Sequence, residues 1–436
     1  MVSDCGAIND FYLPKRHGVA KDAEAASALG VRSGTDVECG QVYKKLPAAV
    51  RRGDISEAEI DTSVRRLLAE RFRLGDFDPD SLVEWTRIPM SVVNSPEHKA
   101  LALKAAREQM VLLKNNGILP LKKEDAGRVM LMGPNAADST MQWGIYYGQP
   151  GHTVTILEAL RERLGKDLPY VRGCAVTQMT DRESVFGSMT SSKGRGMEAT
   201  YWNNTKMEGT PAAETVYTSA IQLDNGGNTV FAPGVNLTNF TARIKGTLVA
   251  DRDETLNMIY NNDDGLRIII NGDTVHNRWK TDPLGFRERE LKVKKGQKYD
   301  IEVDYMQLED DATLNFDIMR TRPVTAADAV AQAKDADVVI FVGGISPAYE
   351  REEAKVREPG FDDGDRTSIE LPAPQREILK ALHEAGKKIV LVNCSGSAVA
   401  LTPESETCDA ILQAWYPGEQ GGYAVTDVLF GDYNPC

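Results

Sequence analysis

The chain has 436 residues, 42% of them hydrophobic, with 51 basic and 64 acidic side chains for a formal charge of −13. That length exceeds one compact core and implies about two to four domains. The negative charge argues against nucleic acid or an anionic membrane surface as partner. No apolar run is long enough to span a bilayer, and no leader is visible.

The first stretch, Val2-Ser3-Asp4-Cys5-Gly6-Ala7-Ile8, reads as a buried strand ending in an acidic turn. Such turns are where a parallel barrel or sheet presents a carboxylate. A small-residue helix follows over Asp22 to Leu29, and Ser33 to Gly40 reads as another acidic strand end. Ser56 with Glu59 makes a capping box. Ile60, Val64, Leu67, Leu68 and Phe72 then repeat at helical spacing, and Gly75 closes the helix. Residues of about 76 to 96 contain Pro79, Pro89 and Pro96 and read as a linker across the surface.

A second α/β region opens with a helix from Glu97 to Leu113 and the strand Arg128 to Met132. A helix near Leu157 to Leu164 comes next. From Gly196 to about Arg320 the grammar is all-β, with runs such as Phe240 to Ile244, Leu256 to Tyr260 and Leu266 to Ile270. Asn225-Gly226 and Asn271-Gly272 supply turns. After Arg320 the α/β grammar resumes. A helix from Ala326 to Ala336 leads into the strand Val338 to Val342, then a helix from Pro374 to Ala385. Strands over Lys388 to Asn393 and Ala410 to Gln413 and a last helix to Phe430 complete the chain. An all-β module inserted into an α/β domain fits this order.

None of the six cysteines forms a C-x-x-C pair, and the five histidines are scattered, so neither structural zinc nor a histidine-centred site is expected. Cys394 reads as a buried free thiol. Cys5 and Cys39 could meet at the mouth of one sheet, although spacing does not settle a disulfide.

Carboxylates carry the chemistry that stands out. Asp4 follows a strand and would face the crevice at its C-terminal end, or else would cap the next turn. Glu350, Glu352 and Glu353 follow the loop Gly343-Gly344-Ile345-Ser346-Pro347. They are either a solvated charge run or a loop bearing a general acid. A retaining glycosidase needs such a pair, one ionised and one protonated, about 5–5.5 Å apart. Asp263-Asp264-Gly265 is a candidate for Ca²⁺ but reads better as a turn. Asp365-Arg366 could touch substrate. Gly418-Glu419-Gln420-Gly421-Gly422 lacks the lysine of a phosphate loop. Trp279 and Trp415 could stack on sugars or simply pack.

Together these motifs resemble glycoside hydrolase family 3, in its β-xylosidase-like branch with an inserted protective-antigen-type β-sandwich. The resemblance rests on Val2 to Ile8, on Gly34-Thr35-Asp36-Val37-Glu38 and on Val111 to Leu121. It extends through Glu198 to Trp202, Asn262 to Gly272, Trp415 to Gly422 and Val428 to Pro435. The fold it implies is an α/β multidomain chain. Residues 1–85 would be the C-terminal part of a (β/α)8 barrel and 86–96 a linker. Residues 97–195 and 322–436 would form an α/β/α sandwich domain, interrupted by the β-sandwich insert at 196–321.

The resemblance implies a retaining exo-acting β-glycosidase, β-xylosidase ahead of β-glucosidase, acting on an oligosaccharide or aryl glycoside without a cofactor or metal. Asp4 matches the nucleophile. Glu352 matches the acid/base, with Glu350 as the alternative. Glu350, Asp365 and Arg366 are candidate substrate contacts. About six further barrel strands would be expected upstream, so the resemblance leads one to expect a piece of a longer enzyme with little turnover alone. Periplasmic or secreted placement is favoured over cytoplasmic, and a homo-oligomer stays open. The competing expectation is a non-catalytic carbohydrate-binding protein with a vestigial barrel remnant.

Overall fold

The computed structural model describes residues 1–122, 128–145, 147, 150, 152–165, 168–224, 229–281, 284–309, 312–350 and 356–435. The chain divides into two units, Met1–Val93 and Asn94–Cys436.

In the first unit a parallel bridge joins Val2 to Val37. The Ser3 N–H donates to the Val37 carbonyl at 2.9 Å and the Gly6 N–H to the Cys39 carbonyl at 2.7 Å. Cys5 and Cys39 form a disulfide. The expected buried strand is corrected here: Val2 is 62% exposed, because one bridge on one side leaves its other edge and its side chain in solvent. The helix Ala23–Arg32 begins where Asp22 accepts the Ala25 N–H. The helix Glu57–Leu74 begins at the Ser56/Glu59 capping box and ends at Gly75, whose φ of 78° suits glycine. Two small apolar clusters hold these pieces, one around Ala28, Val31, Ala49 and Ile55 and one around Ile8, Ala26 and Val42. Val64, Leu67, Leu68 and Phe72 remain exposed.

The second unit contains a three-layer α/β/α arrangement. Its sheet runs in the order Val111–Asn115, Ala410–Gln413, Lys388–Cys394, Val338–Gly344, Val129–Met132, Tyr170–Val171. The first strand is antiparallel to its neighbour and the rest are parallel. Strand alternation builds both cores. Leu131, Ile340, Val342, Val390 and Leu412 face Ala106, Ile156, Leu160 and Val425, from helices on one side. Met130, Val339, Phe341, Leu391 and Ile411 face Ala329, Ile378 and Leu382, from helices on the other. The helix expected over Glu97 to Leu113 stops at Gln109. Val111–Asn115 is instead the edge strand, where a run of apolar residues is short enough to pair with Ala410–Gln413.

Between Tyr170–Val171 and Val338–Gly344 the chain builds two antiparallel sheets that share one apolar core. Strand Met197–Trp202 shows the period-2 burial expected of a half-buried strand, and Asn271-Gly272 turns the hairpin with positive φ at both positions. Asn225-Gly226 lies outside the described residues. The smaller sheet includes Thr180–Ser184, upstream of the expected start at Gly196, paired with Thr313–Pro323. The Val324 N–H donates to the Met179 carbonyl at 3.1 Å. The strands that enter and leave this β region therefore lie side by side and are hydrogen-bonded to each other.

Candidate active site

Asp4 sits in the first unit, directly after the residue whose N–H pairs with Val37. Its Oδ1 accepts the N–H of Cys5 at 2.6 Å. The side chain of Ser3 accepts the Cys39 N–H at 3.0 Å. Asp4 is therefore carried on a turn held at both flanks, by Ser3 and by the Cys5–Cys39 disulfide, while its carboxylate stays exposed. It caps no helix. The nearby Glu38 is committed elsewhere, since its two oxygens accept the N–H groups of Val42 and Tyr43 at 2.9 and 2.6 Å.

The second carboxylate environment lies in the second unit, in loops that leave the carboxyl ends of parallel strands. Open α/β sheets gather ligands at such ends. Glu350 follows the strand Val338–Gly344. Its Oε2 accepts the Tyr416 hydroxyl at 2.7 Å, and its Oε1 accepts the Ser397 hydroxyl. Ser397 comes after the strand Lys388–Cys394, and Tyr416 after Ala410–Gln413. Three adjacent strands thus meet at one carboxylate, one supplying Glu350 and the other two its hydroxyl partners. Burial first, and then the bond to Glu350, pushes the Tyr416 phenol well above its usual range, so it acts as a hydrogen-bond donor. Gly396 makes room for this contact: a Cβ there would fall 2.7 Å from the Tyr416 ring.

Arg366 joins the same group. Its Nη1 donates to the Ser397 Oγ at 3.1 Å and to the Ala398 carbonyl at 2.9 Å, and its guanidinium lies 5.7 Å from the Phe361 ring centroid. Phe361 in turn packs 5.4 Å from Tyr349. Asp365 pairs through its backbone with Asp362 and keeps an exposed side chain. Of the residues singled out from sequence, Glu350 and Arg366 are therefore brought together through Ser397. Glu352 and Glu353 lie outside the described residues.

Ser397 and Tyr416 were not anticipated as site residues. The signal available was positional: each stands shortly after a parallel strand of the same sheet as Gly343-Gly344. Among the other candidates, Trp415 has φ 58°, is 37% exposed and donates its indole N–H to the Gln109 carbonyl at 2.9 Å. Trp279 lies under Arg267 at 5.2 Å. Asp264 is buried and accepts the Leu308 N–H at 2.7 Å, and no three His, Cys, Asp or Glu side chains gather as metal ligands among the described residues. The glycines at Gly421-Gly422 serve packing, since a Cβ on Gly422 would overlap the carbonyls of Val154 and Thr155.

A family model described as the glycosyl hydrolase family 3 C-terminal domain matches residues 110–436. A xylan 1,4-β-xylosidase of Xylanibacter ruminicola is 44% identical over 443 aligned positions, which cover 100% of this chain and 51% of that protein. A periplasmic β-glucosidase of Salmonella typhimurium is 27% identical, over 100% of this chain and 40% of its own length. Among solved structures, a β-glucosidase from Kluyveromyces marxianus in complex with glucose superposes with a TM-score of 0.61 at 23% identity, covering 93% of this chain and 50% of that one. The chain spans about half the length of the curated relatives it matches.

Proposed function

Because this chain belongs to glycosyl hydrolase family 3, we propose that it serves retaining, exo-acting hydrolysis of terminal β-linked sugars, xylose ahead of glucose. The observation that carries this is the Glu350 cluster, a carboxylate fixed by two hydroxyls at the carboxyl ends of parallel strands. The kinship with a named xylan β-xylosidase favours xylose.

In this reading Asp4 attacks the anomeric carbon and forms a covalent glycosyl-enzyme while the aglycone departs. A carboxyl group in the loop after Gly344 gives its proton to the leaving oxygen and then takes one from the attacking water. Glu352 fills that place by motif. Glu350 fills it by its described surroundings, because hydroxyl partners can donate to the carboxylate and accept from the carboxylic acid. Residues 1–85 are read as the last units of a (β/α)8 barrel, and 97–195 with 322–436 as an α/β/α sandwich domain around a protective-antigen-type β-sandwich. Asp365 and Arg366 are read as lying on the substrate side of that loop. Export to the periplasm or the medium fits the name of the Salmonella relative.

Covalent trapping tests the chemistry. The chain is incubated with activated 2-fluoro-xyloside and 2-fluoro-glucoside, and the labelled peptide is mapped by mass. Trapping needs only half a turnover, so a feeble site still reports. A sugar on Asp4, faster with the xyloside, is the expected result. A label on another carboxylate, or none on a folded chain, refutes the assignment. Alanine variants of Glu350 and Glu352 then separate the two acids: azide restores turnover of an aryl glycoside only where the acid/base has been removed.

A further inference from the structure

The strand Val338–Gly344 leads towards Glu350, and its neighbour Val129–Met132 accompanies it only as far as Phe341. Beyond that point two buried carboxamides hold the chain in place of a strand. Asn135 donates its amide to the carbonyls of Gly343 and Ile345, both at 3.1 Å. Gln375, fully buried on the helix Ala373–Glu384, grips the backbone of Gly344 on both its groups. Its Oε1 accepts the Gly344 N–H and its Nε2 donates to the Gly344 carbonyl, each at 2.7 Å. The same Nε2 donates to the Val176 carbonyl at 2.9 Å. Gly343 leaves room for this side chain, since a Cβ there would overlap its Oε1.

Val176 belongs to the neck through which the chain passes from Tyr170–Val171, in the sheet of the α/β region, to Thr180–Ser184, the first strand of the β region. A second link starts from the same neck. Thr177 and Gln178 donate to Oε2 of Glu358 at 2.7 and 2.9 Å. Glu358 pairs with Phe361 and Phe361 with Arg366, along one rung of a small three-stranded sheet. Arg366 donates to the Ser397 hydroxyl, which donates to Glu350. Phe361 also packs against Tyr349, the residue before Glu350. The neck therefore reaches Glu350 along two separate paths, through Gln375 at the stem of its loop and through Glu358 at its side chain.

A glutamine that merely satisfied a strand end would need only Gly344. The bond to Val176 ties that strand end to another segment. We propose that Gln375 and Glu358 are positioning residues, which fix the Glu350 carboxylate relative to the neck, so that the segment entering the β region sets the geometry of proton transfer. The coupling stands on this chain of contacts, and its catalytic consequence rests on the glycosidase function proposed above. A displacement of about 1 Å at a reacting group can cost on the order of 10²-fold in rate.

The test uses the 436-residue chain. Hydrogen exchange read by mass follows the amides of Ile345 to Glu350, and turnover is measured on aryl β-xylosides with good and poor leaving groups. Glu358→Ala removes a half-buried side chain, and Gln375→Met keeps the volume and removes all of its hydrogen bonds. Each is expected to speed exchange over Ile345 to Glu350 at least about fivefold, with exchange in Lys388–Cys394 unchanged. Each should lower kcat at least about tenfold for the phenyl xyloside and less than about twofold for the dinitrophenyl xyloside, because only the former needs the proton. Glu358→Gln still accepts from Thr177 and should bring both readouts back towards the parent chain. Unchanged exchange in Glu358→Ala overturns the coupling, even where Gln375→Met fails to fold. An equal fall in kcat across the leaving groups overturns the positioning role. The two ideas fail separately. Faster exchange without a label on Asp4 sinks the glycosidase assignment and keeps the coupling. A label on Asp4 with unchanged exchange does the reverse.

Discussion

Tyr416 donates its hydroxyl to Oε2 of Glu350 at 2.7 Å, and so ties the loop after one parallel strand to the loop after another. The Ser397 hydroxyl occupies the other carboxylate oxygen and takes a hydrogen bond from Arg366. Tyr416→Phe keeps the ring against Gly396 and removes only the hydroxyl. The variant should lose about 1.5–3 kcal/mol of stability, as expected for one hydrogen bond to a charged group. If Glu350 is the acid/base, turnover should fall more for aryl glycosides with poor leaving groups than for those with good ones, because only the former need the proton. A uniform fall across the leaving-group series would make the tyrosine a purely structural brace.

The Cys5–Cys39 disulfide closes a segment of 34 residues around the small helices of the first unit. Reduction, or Cys39→Ser, should cost this unit about 2–4 kcal/mol. Proteolysis should then cut near Asp4 under conditions where the oxidised chain resists. Identical digestion patterns with and without reductant would show that the Ser3–Val37 and Gly6–Cys39 hydrogen bonds hold the turn unaided.

Asp304 is fully buried and receives hydrogen bonds from Arg243 at 2.7 and 3.0 Å and from Arg267 at 3.2 Å. Burial pushes its carboxyl up, but the bonds from the two guanidinium groups outweigh it, so the group sits below the usual carboxylate range. Asp304→Ala should cost about 1–3 kcal/mol, since it removes the acceptor that Arg243 and Arg267 share, although Arg243 keeps Glu302 at 3.0 Å. The pH dependence follows from the direction of the shift. A carboxyl whose folded value lies below its unfolded value of about 3.9 contributes fully above that pH and loses its contribution as pH falls through the folded value. Urea midpoints of the native chain should drop on acidification below about pH 4, and Asp304→Asn should flatten that drop. Parallel curves for the two proteins would contradict the assignment.

Gly133 and Gly344 lie at matching places, each just beyond or at the end of its parallel strand. A Cβ on Gly133 would overlap the Val342 carbonyl, and one on Gly344 the Cys394 carbonyl. Gly344 also has φ 110°, which L side chains rarely adopt. Gly344→Ala should therefore destabilise the second unit by more than about 3 kcal/mol, read as a fall in its thermal midpoint. A tolerated alanine would mean that the loop ahead of Glu350 shifts freely.

Much of this protein is written in local pattern. The Ser56/Glu59 cap, the Gly75 stop, the Asn271-Gly272 hairpin and the buried strands ending at Cys394 and Gln413 each depend on residues a few positions apart, and local backbone chemistry decides them. The carboxylates Asp4 and Glu350 were legible as charged residues after apolar strands. Other features depended on residues distant in sequence. Whether Val111 to Asn115 continues a helix or pairs as an edge strand was decided by Ala410–Gln413, some three hundred residues away. The bond between Cys5 and Cys39 needed the Val2–Val37 bridge to bring their backbones together. Glu350 and its two partners, Ser397 and Tyr416, follow three different strands, and nothing in their spacing along the chain records that the sheet lays those strands side by side. Side-chain periodicity fixes which face of an element is apolar; only the packing of one element on another fixes which polar groups meet.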